Sequence, residues 1–225
     1  MKRMTFHKQI PKYIKNENFP WFISFPRTGS HWLRIVMEYY LGIPALVQSW
    51  TIKNPSSFWA YHQHDYLLKE IKNKKNVLYL YRNPIDTLFS QMSYENENFS
   101  ERIDYNINIY SNHLIRWRFN HNDIKNITIC TYENLKNNPT SEITKILHFL
   151  QLCQKDIIID EDKINNAYNE VSKDKVKEKT LYSEKSINIT SNYEMKRIEF
   201  KNKYGNYILD KFKQKDERLT WEKDK

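Results

Sequence analysis

Apolar residues along the 225-residue chain fall into short unbroken runs that alternate with stretches of helical period. Residues 20–26, PWFISFP, form an apolar run bounded by prolines, the pattern of a buried strand. Behind it, Trp32, Leu33, Val36, Met37 and Tyr40 recur at helical spacing until Gly42 and Pro44 stop the pattern. Residues 58–64 read as extended, and LLKEIKNKK after Tyr66 as a short amphipathic helix with a basic end. NVLYLY, residues 76–81, is the clearest strand, apolar on both faces as a central parallel strand is. Asn83 then suits a helix cap and Pro84 the first helical position. Residues 105–119 predict a helix with Ile109, His113 or Leu114, and Trp117 on its inner face. A further apolar strand follows at 126–132, a helix at 140–150 begun near Pro139, and a last helix at 194–212. Residues 160–192 are polar and charged and read as an exposed or ligand-ordered region. This alternation predicts one α/β domain over residues 1–225, a three-layer α/β/α sandwich around a central parallel sheet, with its core between about 20 and 150.

Composition changes that picture little. The mean hydropathy is −0.82, yet 40% of residues are hydrophobic and 15% aromatic, which is ample for a core and argues against disorder. The formal net charge of +9, from 36 Lys and Arg against 27 Asp and Glu, biases the chain toward anionic partners. The abundance of Lys, Asn and Ile also allows a purely compositional origin for that charge. Two cysteines are too few for a disulfide framework, and Cys130 sits in an apolar run where a reduced thiol is expected, so the chain reads as cytoplasmic. No signal-peptide stretch opens it, and no segment approaches the roughly 20 apolar residues of a membrane span.

Two segments stand where a strand ends and a helix begins, the place at which free backbone N–H groups and the helix dipole favour an anion. The first is Pro26, Arg27, Thr28, Gly29, Ser30, His31 and Trp32. Gly29 permits a close turn, Thr28 and Ser30 bring hydroxyls, and Arg27 has a permanent charge on a two-pronged donor. A simple strand-to-helix turn would account for the same residues, and the Walker A spacing is absent. The second is Arg82, Asn83, Pro84, Asp86 and Ser90, with Asp86 and Ser90 one helical turn apart. Here the plainer reading is that Arg82 pairs with Asp86 and fastens the turn.

In order and residue type, these segments resemble the 5′-phosphosulfate loop and the 3′-phosphate motif of sulfotransferases that use 3′-phosphoadenosine-5′-phosphosulfate (PAPS). Tyr132, Glu133, Leu135 and Pro139 make a third match, so the resemblance spans residues 20–150. It implies a P-loop NTPase-like fold with PAPS as donor and the bisphosphate PAP as product. It also implies a donor site of Arg27, Thr28, Gly29, Ser30, His31, Trp32, Arg82, Ser90 and Tyr132, with no metal. His31 stands where the family more often has a hydroxyl residue. Arg27 stands where its cytosolic members have lysine and its Golgi branch arginine, and would stabilise the bridging oxygen.

The family's catalytic base lies about 20 residues ahead of the 3′-phosphate arginine, and both His62 and His64 fall there. Histidine suits the removal of an acceptor proton near neutral pH. Of the two, His64 is favoured because Asp65 beside it would orient the ring. The acceptor is expected to be a small molecule or a glycan, offering a hydroxyl or an amine. The Arg-Lys-Gly segment that closes over the nucleotide in cytosolic relatives is not found, and Lys173, Lys175, Lys177 and Lys179 are candidates to replace it. Two other readings are a P-loop nucleotide kinase, which needs magnesium and an acidic ligand for it, and a basic nucleic-acid-binding protein. No full Walker pair and no basic-aromatic stripe supports either, so nucleic acid is not expected as a partner.

Overall fold

The computed structural model describes residues 4–66, 68, 75–171 and 192–221. The helix expected just after Tyr66 and the lysines at 173–179 lie outside the described residues.

Four parallel strands make the central sheet: β1 (Trp21–Ser24), β2 (Tyr61–Gln63), β3 (Asn76–Tyr81) and β4 (Asn126–Thr131), in the spatial order β2-β1-β3-β4. Helix α1 (Ser30–Leu41) follows β1 and ends on Gly42, whose φ of +71° suits the left-handed cap. After β3 come α2 (Pro84–Glu95) and α3 (Phe99–Leu114), the latter continued by a π-helical turn over Ile115–Phe119. After β4 come α4 (Tyr132–Asn137), α5 (Pro139–Gln151), α6 (Glu161–Glu170) and α7 (Tyr193–Lys215).

The strand residues alternate between two cores, which makes the three layers. Phe22, Leu78, Leu80 and Cys130 pack with residues of α1, α5 and α6 on one face. Trp21, Ile23, Val77 and Tyr79 pack with residues of α2, α3 and α7 on the other. Apolar residues on both sides of a strand therefore report helices on both faces.

Three expectations need correction. The helix read from 105 begins at Phe99, capped by the Asn98 side chain, which accepts from the Ser100 N–H. Its buried face carries Ile103, Ile107, Tyr110 and Leu114, while Ile109 is only partly buried. The Tyr105 start failed because Ser100, Glu101 and Arg102 separate Phe99 from the apolar stripe that begins at Ile103. Within the stretch read as exposed, α6 buries Ile164, Ala167 and the following Val171 against the core. Three apolar side chains at helical spacing suffice to dock a helix that is polar on every other face.

The strand order puts the sheet's reversal between β1 and β3. Open α/β sheets bind ligands in the crevice outside the carboxyl ends of the strands at such a point. The loops after β1 and β3 are the two segments singled out for anion binding.

Candidate active site

The first loop bends through two left-handed residues, Arg27 at φ +67° and Gly29 at φ +93°, before α1 starts at Ser30. Thr28 is buried and its hydroxyl donates to the Phe25 carbonyl at 2.8 Å. That hydroxyl closes the turn. Ser30 is buried, whereas His31 is exposed with its ring 6.0 Å from that of Trp50.

Gly29 is required by space as well as by φ. A Cβ there would sit 2.5 Å from Cδ2 of Tyr132, whose ring covers the turn. Gly42 has a similar φ but nothing within 4 Å of such a Cβ. Gly29→Ala should therefore cost about 1–3 kcal/mol of backbone strain plus the displacement of Tyr132. Gly42→Ala should cost the strain alone. Urea unfolding compares them, and equal losses would show that Tyr132 does not press on the turn.

Tyr132 joins the two loops. It opens α4 directly after β4, and its ring lies 4.5 Å below the guanidinium of Arg82 and 6.2 Å from Trp32, edge to face. Trp32 in turn meets Tyr168 of α6 at 5.4 Å.

Arg82 is held at its backbone. The Tyr110 hydroxyl donates to the Arg82 carbonyl at 2.6 Å and accepts its N–H at 3.2 Å. Burial holds that phenol well above its usual range, so it remains a donor. Next to it, the Asn83 N–H donates to Glu133 at 2.9 Å, and the Asn83 side chain caps α2 by accepting from the Ile85 N–H. Burial raises the Glu133 carboxyl above its usual range. The Arg82 side chain is largely enclosed. Its Nη1 is 3.4 Å from the Arg27 carbonyl, its Nη2 is 3.6 Å from Asp86, and its Nε is buried without a hydrogen-bond partner. The turn-fastening pair is thus present but long.

Ser90, also buried, accepts from Arg27 Nε at 3.1 Å, which brings the two expected phosphate sites together. The Arg27 guanidinium also faces the Tyr94 ring at 4.8 Å, and burial lowers its pKa although Tyr193 and Tyr94 oppose that. Tyr94 lines one wall of an ~800 Å³ cavity between α2 and α7 with Phe89, Phe99, Tyr193 and Phe200. Neither histidine is among its described lining residues.

Both histidines gather on Ser24, the last residue of β1. Its hydroxyl lies 2.9 Å from His62 Nε2 and 3.3 Å from His64 Nδ1, and its carbonyl lies 2.9 Å from His64 Nδ1. A carbonyl only accepts, so His64 Nδ1 carries the proton and Nε2 keeps its lone pair. Burial lowers the pKa of both rings, that of His62 further, helped by the charge of Arg34. Ser24 holds His64 Nδ1, and the Asp65 carboxylate accepts the Trp117 indole N–H at 3.2 Å.

His113 supports the backbone of His64 from behind. Its Nε2–H donates to the His64 carbonyl at 2.9 Å and its Nδ1 accepts the Tyr79 hydroxyl at 3.0 Å. Of the supporting groups, only Glu133 stood inside a motif; Ser24, Tyr110 and His113 meet the site from 28 to 49 residues away. Among the described residues no His, Cys, Asp and Glu cluster could hold a metal ion, and no helix is long and apolar enough to cross a membrane.

A family model described as a sulfotransferase domain matches residues 51–218. The chain is 29% identical to a rabbit (Oryctolagus cuniculus) protein named amine sulfotransferase, over 57% of this chain and 54% of that protein. It thus spans about half the length of that curated relative. In three dimensions it is similar to the mouse sulfotransferase SULT7A1 complexed with PAP, with a TM-score of 0.61 and 15% identity over 96% of this chain and 92% of that one.

Proposed function

This chain belongs to the sulfotransferase domain family, and from that premise we propose that it transfers the sulfuryl group of PAPS to a hydroxyl or amine acceptor and releases PAP. The observation that carries the reading is the linkage of Arg27 with Ser90 and with Arg82, whose guanidinium lies over the ring of Tyr132, at the reversal of a parallel sheet. In this reading Arg82 and Ser90 bind the 3′-phosphate. The Gly29–Trp32 turn and the first amides of α1 bind the 5′-phosphosulfate, and Tyr132 with Trp32 contacts the adenine. His31, exposed on α1, contacts phosphate from the rim. The complex of the mouse structure supports the donor class, and the name of the rabbit protein supports an amine among acceptors.

Transfer forms a bond from the acceptor O or N to sulfur and breaks the bond from sulfur to the phosphate's bridging oxygen. Charge grows on that oxygen as it leaves, and Arg27 neutralises it without giving up a proton, which a guanidinium hardly does. The acceptor's proton goes to a base. His64 fits that role better than His62, because its Nδ1–H is anchored on the Ser24 carbonyl and its Nε2 is left to accept. His62 spends Nε2 on the Ser24 hydroxyl and is more deeply buried.

Thermal unfolding with 3′,5′-adenosine bisphosphate, with Mg-ATP and with an oligonucleotide tests the donor. The bisphosphate at 100 times its Kd should stabilise the protein by about 2.7 kcal/mol. A shift with Mg-ATP and none with the bisphosphate would refute the reading and revive the kinase alternative.

A further inference from the structure

Asp86 stands one helical turn beyond Arg82, where its carboxylate competes with phosphate for the same guanidinium. Carboxylate and phosphate engage arginine through the same fork, so an idle Asp86 would occupy the donors on which the 3′-phosphate depends. Both side chains are only 17% exposed, so water would weaken such a pair little.

Asp86 is not idle. Arg197 of α7, 111 residues away, donates from Nε to Oδ1 at 2.6 Å and from Nη2 to Oδ2 at 3.1 Å. Its third nitrogen, Nη1, donates to Glu194 at 2.6 Å, one turn earlier on α7. Arg82 is left 3.6 Å from Oδ2, beyond hydrogen-bond range, with its buried Nε lacking a partner. The two-pronged grip thus belongs to the arginine on the last helix, and the looser contact to the arginine in the site. Asp86 and Glu194 together hold the Arg197 pKa above its usual range, so the sequestering charge is permanent.

We infer that Arg197 is a positioning residue that sequesters Asp86 and thereby keeps Arg82 available for the 3′-phosphate. The inference rests on the donor reading above. In its absence Asp86 turns to Arg82, and the site neutralises itself.

Calorimetric titration with 3′,5′-adenosine bisphosphate tests this in four proteins: wild type, Arg197→Ala, Asp86→Ala and the double variant. Arg197→Ala should weaken binding about tenfold, and the double variant should recover to within about twofold of Asp86→Ala. A structural tether would behave differently, because the double variant lacks the tether too. A double variant as weak as Arg197→Ala, or an Arg197→Ala that binds like wild type, would overturn the inference. If circular dichroism shows Arg197→Ala unfolded, Asp86→Ala decides alone. It should bind as tightly as wild type or tighter, and a tenfold loss would mean that Asp86 helps Arg82. Failure of the wild type to bind the bisphosphate would refute the donor reading instead.

Discussion

His64→Ala is expected to lose about 10²–10⁴ in turnover while binding 3′,5′-adenosine bisphosphate like wild type. The size follows from removing a general base, and the unchanged binding from its place: His64 hangs on Ser24 at the end of β1, while the donor is assigned to Arg82, Ser90 and Tyr132. Single-turnover kinetics and titration calorimetry separate the two. His62→Gln should retain most turnover, because that ring's Nε2 is already engaged by the Ser24 hydroxyl. If the losses fall the other way round, the base is His62. The base works only when neutral, and burial lowers the His64 pKa from 6.5. The acid limb of kcat/KM should therefore have its midpoint below 6.5, with activity flat through pH 7 and falling as the ring is protonated.

The second large effect is on stability in acid. Burial pushes the His113 pKa down to about 3, and that of His62 well below 6.5. Below pH 6.5 the unfolded chain takes up protons that the folded one refuses, so the folded state loses stability as pH falls, and for His113 the loss continues down to about pH 3. Each such histidine removes about 1.4 kcal/mol per pH unit. Between pH 6 and 4 His113 alone removes about 2.5 kcal/mol, a sizeable part of the roughly 5–15 kcal/mol by which a typical domain is stable, and His62 adds to the loss in the same direction. Urea midpoints followed from pH 7 to 4.5 should drop steeply. His113→Gln keeps a donor for the His64 carbonyl and an acceptor for the Tyr79 hydroxyl but cannot be protonated, so its midpoints should fall more slowly than those of wild type. A variant with the wild-type slope would show that His113 is already charged in the folded protein.

The two parallel-sheet segments with the strongest patterns, around Phe22 and Leu78, were legible because a strand buried on both faces admits almost nothing but apolar residues. Helices with clear punctuation were equally legible: α1 before Gly42, α2 behind Asn83 and Pro84, α5 behind Pro139. Helix α3 was read six residues short because three polar residues follow Phe99 in its first turn, and α6 was missed because its docking face has three apolar residues. Both errors have one origin. Periodicity is visible where a helix buries a broad stripe and fades where tertiary neighbours supply most of the cover.

The amino-acid sequence by itself determined the three-layer architecture and the positions of Arg27, Gly29, Arg82, Ser90 and Tyr132, since strand ends, turns and helix starts are local events written in adjacent residues. Only the tertiary structure decided how those residues are used. It turned the Thr28 hydroxyl to a backbone carbonyl, anchored His64 on Ser24, and clamped Asp86 with Arg197. Each of these depends on which distant group reaches a donor or acceptor first. That choice is settled by packing across the sheet and the last helix, over separations of tens to more than a hundred residues, where spacing along the chain carries no signal.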